Sequence, residues 1–388
     1  MKNCNHSHWF GLTLENNDIT ISQSDRATIL LHDLPYFESQ RPSLFVLVGS
    51  RAKALALKEF VSGTDKKLAA KRGCGEIHLH IDPSTAFSDR PILFADGDFP
   101  AHPRPTKNAF PDKCHAVSKG IIPGPRGSIV GVGLQHVADQ LYSTLLSPHT
   151  DVFCFFAADL GGLEAIARRV VAWLNVGHLA TSPAAALPHI VIVTEFSASE
   201  SESVARDRFI ALLATESRLD VFARFAGIRV IALLPASNVS AQARHRRLKE
   251  GLMAASDQVR SARADSLMLF AGHHFAAFLG HTCSHFADGS TEPFNFIRTA
   301  RLNNPPAADL KDHLANFLQK ISTVAEMRSA VSVVASSLLL DNYPPDMHRE
   351  WDHIRQSRGL IVSQTSNPRM CSTACIETPA TKPAEMVC

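Results

Sequence analysis

Apolar and polar positions alternate at the start of the chain, with Leu12 and Leu14, then Ile19 and Ile21, on either side of Asn16-Asn17-Asp18. Asn and Asp side chains tolerate turn conformations, so this pattern predicts a β-hairpin. After Pro42 the pattern changes. The run Ser43–Val48 is apolar without interruption, as expected of a strand buried on both faces, and it ends at Gly49 ahead of a helix over Lys53–Val61. Glu76–Ile81 alternates and Pro91–Ala95 is a short apolar run. The nine residues between them suit an antiparallel neighbour better than a crossover.

From Ser128 the rhythm is regular: strand Ser128–Val132, helix Leu134–Leu145, strand Val152–Phe156, helix Leu160–Leu174, strand Ile190–Thr194, helix Ser203–Thr215 and strand Ile228–Leu234. Alternation of this kind requires crossovers and a parallel sheet. Asp159 is expected to cap the helix that follows it, whose apolar residues Leu163, Ile166, Val170, Val171 and Leu174 share one face. Past Pro235 only helical periodicity remains. Ala241–Arg263 is polar and basic, and Ser266–Phe286 is apolar. Ala308–Ile321 carries the stripe Leu310, Leu314, Phe317 and Leu318, and Val324–Leu340 repeats in steps of three and four. The expected organisation is a lead-in hairpin (1–40), an α/β domain (41–238), a helical extension (239–357) punctuated by Pro344-Pro345, and a disordered Ser/Thr/Pro/Cys-bearing tail (358–388).

Composition narrows the class. A chain of 388 residues, 45% hydrophobic and 20% charged, has enough apolar content for a large core and the length of about two compact units. Its formal charge of +2 gives no field that would make nucleic acid or an anionic membrane an obligatory partner. The first eight residues lack a signal-peptide core, and no apolar run approaches the ~18–20 residues of a membrane span. Cys74, Cys114, Cys154 and Cys283 are far apart and read as reduced thiols. These features point to a cytoplasmic location.

The strand-to-helix turn Gly49-Ser50-Arg51-Ala52-Lys53 stands where a P-loop protein wraps phosphates with backbone amides and reaches them with a lysine. It keeps one glycine and two cations but lacks the second glycine, the Gly-Lys pair and the following hydroxyl, so a plain turn is the competing reading. Asp96-Gly97 follows an apolar run, at the place of the aspartate that orients magnesium, and is equally a turn signal. Their order, with a predicted antiparallel pair between them, is that of a Ras-like G domain. The fold class expected is therefore an open, mostly parallel P-loop/GTPase-like sheet, with Gly49, Ser50, Arg51, Lys53, Asp96 and Gly97 as candidate nucleotide-binding residues and a nucleotide with Mg as the candidate cofactor.

Three stretches, Ser43–Lys53, Pro91–Gly97 with Asp151–Ala158, and Pro293–Phe317 (PFNFIRTARLNNPPAADLKDHLANF), resemble the amino-terminal regions of fungal patatin-like (FabD/lysophospholipase-like) proteins. The resemblance runs in patches over about residues 8–340. It implies a degenerate GTPase-like module, which in those proteins precedes a hydrolase. This chain has no Gly-x-Ser-x-Gly nucleophile elbow, so acyl hydrolysis does not carry over. Glu195-Phe196-Ser197 stands where guanine selectivity would place Asn-Lys-x-Asp.

The remaining signals are weaker. Phe99–Gly127, rich in proline and basic residues, reads as a lid over the strand ends or as an irregular excursion. Gly131-Val132-Gly133 lacks the third glycine of a dinucleotide turn. His274, His281, Cys283 and His285 diverge if helical. His78 and His80 share a strand face, but two ligands do not make a metal site. Cys371 and Cys375 have no partners nearby. The cations Arg244, Arg246, Arg247, Lys249, Arg260 and Arg263 offer an acidic partner a basic helix face, or are simply solvated. The expectation is a divergent, non-catalytic GTPase-like regulatory or protein-interaction module with a protein partner and no catalytic or metal residues. The alternatives are a weak Mg-dependent NTP-binding protein or NTPase, and an accessory protein of a fungal pathway enzyme or a separate acyl hydrolase.

Overall fold

The computed structural model describes residues 7–15, 18–61, 72–99, 116–121, 133–175, 182–290, 292–303 and 309–341. The alternating start forms β1 (His8–Glu15) and β2 (Asp18–Ser24), an antiparallel hairpin with Leu12 opposite Ile21. A short helix absent from the sequence reading, α1 (Arg26–His32), follows and buries Ala27, Leu30 and Leu31. Next come β3 (Ser43–Val48), α2 (Arg51–Phe60), β4 (Ile77–Ile81) and β5 (Ile92–Gly97). All residues of β3 and β5 are buried, which is why their apolar runs have no polar alternation. β4 pairs antiparallel with β5, as the short connection between them requires.

The expected lid or excursion is in part a strand. Within it, β6 (Ala116–Gly120) pairs antiparallel with β2 and ends the sheet among the described residues. Its five residues, Ala-Val-Ser-Lys-Gly, carry no apolar/polar alternation, so the sequence gives no strand signal there. The expected strand 128–132, Gly131-Val132, Cys114, Pro344-Pro345, Cys371, Cys375 and the tail lie outside the described residues.

The chain continues through α3 (Leu134–Gln140), a π-helical turn Leu141–Leu146, β7 (Thr150–Phe156), α4 (Ala157–Leu160), α5 (Leu163–Asn175), β8 (His189–Glu195), α6 (Glu202–Glu216) and β9 (Gly227–Leu233). The helix expected over Leu160–Leu174 is interrupted. Gly161 and Gly162 both take left-handed backbone (φ 89° and 93°), ending α4 and restarting the chain as α5. Asp159 therefore lies inside the first turn of α4 and is not the cap of the long helix. The apolar face of α5 is buried as expected.

The described strands form one sheet in the order β6-β2-β1-β4-β5-β3-β7-β8-β9. Strands β5, β3, β7, β8 and β9 are mutually parallel, and the hairpin extends the antiparallel side through β4. From β4 to β9 this is an open α/β sheet of five parallel strands, with the antiparallel strand β4 beside β5. Hydrophobic side chains cover both faces: Trp9, Leu44, Val46, Phe153 and Trp173 belong to one core, and Phe45, Leu47, Phe94, Cys154 and Leu252 to the other.

Two compact units divide at Asn295/Phe296, inside the predicted helical extension. α7 (Ala241–Asp265) and α8 (Gly272–Ala287) belong to the first unit because they pack on it. α7 lies against α2, β7, β8 and β9 and completes the second core with Leu248, Leu252 and Ala255. Arg246 is exposed beside Glu250, but the other basic residues face partners in the same unit. Arg244 pairs with Glu195, Arg247 with Glu202, Lys249 with Asp82 and Arg263 with Asp151, while Arg260 donates to the Arg41 carbonyl and Ser43 Oγ. The second unit holds α9 (Phe296–Asn303), α10 (Leu310–Leu318) and α11 (Val324–Asp341). α10 buries none of its residues, so its apolar stripe is not the core seam that its periodicity suggested. Among the described residues, no helix is long and apolar enough to cross a membrane.

Candidate functional site

In an open α/β sheet, neighbouring crossovers diverge at one strand and leave a crevice beyond its carboxyl end. Here that strand is β3, between β5 and β7. In-register pairing sets Leu47 beside Asp96 and Val48 beside Gly97, with Phe155 across from Val48 on the other side. Three distant segments therefore end at one place: the turn 49–53, the dipeptide Asp96-Gly97 and the start of α4.

The turn is closed by a carboxylate from its own chain. Asp159 Oδ2 accepts the backbone N–H of Ser50 (2.8 Å) and of Lys53 (3.0 Å), and Oδ1 accepts that of Ala52 (2.9 Å). These are amides of the first turn of α2, which have no partner within the helix and carry the positive end of its dipole. Ser50 itself caps nothing with its side chain. Gly49 is required here, because its backbone is left-handed (φ 154°) and a β-carbon would stand 2.8 Å from Asp159 Oδ2.

Below the turn lies a buried charge cluster. The Lys53 ammonium is fully buried, 2.6 Å from Asp96 Oδ1 and 2.8 Å from the Gly97 carbonyl. Arg72 donates to Asp96 Oδ2 through Nε (2.9 Å) and Nη2. Burial alone would raise the Asp96 carboxyl, but the Lys53 and Arg72 cations more than offset it and hold the group below the usual carboxylate range. Asp98 is pushed up by burial. Burial likewise lowers His80, whose ring nitrogen is 4.0 Å from Asp96, to about 4 despite that neighbour.

The structure thus gathers Gly49, Ser50, Lys53, Asp96 and Gly97 at one spot and leaves Arg51 exposed at the helix start. Sequence reasoning missed Asp159 and Arg72. Asp159 had a signal, since it follows the strand next to β3, but a local capping role was the simpler reading. Arg72 follows a segment without periodicity and had none. His78 and His80, on one strand, turn to different partners, Glu76 and Asp96. Cys283 is buried on α8 while the His285 ring meets the Glu292 carbonyl, so these groups diverge as a helix dictates.

Compared with known proteins, the chain matches no protein-family model and no curated protein.

Proposed function

We propose that this chain is a divergent, non-catalytic GTPase-like module that acts by regulation or protein interaction. The observation that carries the reading is the Asp159 carboxylate seated on the amides of Ser50, Ala52 and Lys53. A helix N-terminus after the first strand is where such folds hold phosphate, and here the anion is internal. The neighbouring groups support the same reading. A working site needs a lysine free to reach the phosphates and an aspartate free to order magnesium. Lys53 and Asp96 are instead paired with each other, and Arg72 takes the second carboxylate oxygen.

Thermal unfolding with and without millimolar GTP, ATP and magnesium tests the proposal, because a ligand of the native state alone must raise the midpoint. The wild type is expected to show no rise. Asp159→Ala is expected to lose about 1–2 kcal/mol of stability, the value of a helix cap, and to gain a midpoint that responds to inorganic phosphate or nucleotide. A rise of several degrees in the wild type, removed by Lys53→Ala or Asp96→Ala, would restore the nucleotide-binding alternative and sink the proposal. Failure of Asp159→Ala to respond to any anion would remove the observation on which it rests.

A further inference from the structure

At the junction of the hairpin with the GTPase-like strands, two imidazoles and a carboxylate converge. His8 of β1 lies directly across from His78 of β4, with a register irregularity just beyond it. Antiparallel partners of this kind have neighbouring side chains, and the two rings stand 5.1 Å apart, edge to face. Glu76 lies two residues before His78, so extended backbone returns its side chain to the same face. One ligand atom from each of the three falls within 4.8 Å of the others.

The group is also supported from behind, as metal ligands are. His78 directs Nε2 at Glu76 Oε1 (2.7 Å), while its Nδ1 meets the Ser7 hydroxyl (2.9 Å). Glu76 Oε2 accepts the Gly73 N–H (2.7 Å), which leaves Oε1 as the oxygen aimed at the histidines. Such outer contacts fix the tautomer and orientation of a ligating ring and carboxylate. His8 is buried, whereas Glu76 and His78 are partly exposed, so the cluster is open to solvent on one side.

We propose that His8, Glu76 and His78 bind a borderline divalent cation of the zinc class, with solvent in the fourth position, and so fasten the hairpin to the GTPase-like sheet. Two imidazole nitrogens and one carboxylate oxygen are a donor set that suits zinc and excludes calcium and magnesium as preferred ions. Binding requires that the Glu76–His78 hydrogen bond open as the cation takes its place.

The test is a titration of the metal-stripped, full-length protein with Zn2+ in the presence of a competing chelator, which masks weak binding by the other residues among nineteen histidines and eight cysteines. Co2+ absorption reports the coordination. We expect one equivalent bound at micromolar affinity or tighter, a four-coordinate Co2+ spectrum and a raised thermal midpoint. His8→Ala, His78→Ala and Glu76→Gln should each weaken binding about tenfold or more, and Ser7→Ala by about 10-fold, the lower end for a supporting contact. Glu76→Gln carries the test if a histidine variant does not fold, since Glu76 precedes the strand and Gln can still accept from Gly73. Absence of binding in the wild type, or binding retained by Glu76→Gln and the folded histidine variants, overturns the assignment.

Discussion

Lys53 stands without solvent exposure between Asp96 and the Gly97 carbonyl, and its charge is tolerable there only because the carboxylate accompanies it. Removing one member of a buried pair leaves the other uncompensated, at about 3–5 kcal/mol. Lys53→Met is therefore expected to lower stability toward the bottom of that range, because Arg72 stays beside Asp96. A urea midpoint that did not move would contradict the pairing. Gly49 and Asp96 were legible in the sequence because they sit at strand ends, where the apolar run stops, and Lys53 because it stands in the first turn of the helix after Gly49. Their use was not legible. Whether a lysine reaches outward to a ligand or folds back onto a carboxylate depends on what the other chain segments bring, and spacing along β3 and β5 is the same in both cases.

At the level of elements, apolar strands and amphipathic helices were the most legible in the sequence. β3, β5, β7 and β8 are apolar runs because both sheet faces are covered, and α5 shows its buried face plainly. The failures have local physical causes. Two left-handed glycines divide one predicted helix, β6 is a short strand without alternation, and the basic character of α7 concealed an inner face. Arg263 sits on that inner face, buried, with Asp151 and the Thr150 carbonyl as partners. Nearby, His149 joins the turn before β7 to α8. Thr282 Oγ1 donates to the Phe278 carbonyl and so accepts from the His149 Nε2–H at 2.7 Å. Burial, with Arg263 adding to it, lowers His149 to about 3, and the aromatic rings of Phe275 and Phe294 face it.

An unfolded histidine titrates at about 6.5. Between these values the unfolded chain holds a proton that the native chain refuses, so stability falls as pH is lowered from about 6.5 toward 3 and is indifferent to this group above that window. The contribution reaches about 1.4 kcal/mol per pH unit. Urea midpoints at several pH values from neutral to acidic should show a shallower fall in His149→Gln than in the wild type, and parallel curves would refute it.

For the whole molecule, the sheet is layered from its centre outward. β3 and β7 have hydrogen-bonded neighbours on both sides and covered faces, while β6 and β9 end the sheet among the described residues. Native-state hydrogen exchange should find the slowest amides in Ser43–Val48 and Thr150–Phe156 and faster exchange in β6 and β9. Equal protection across the sheet would argue against this gradient. The same central strands deliver Asp159 to α2, and this makes the carboxylate a competitor that never diffuses away. A group held on the same chain acts at an effective concentration of about millimolar or above. A free anion at such a level would only share the seat with it, and its apparent affinity would be reduced by the small fraction of molecules in which the seat stands open. On the proposed reading, the seat would open only when the turn α4 that carries Asp159 moves away from α2.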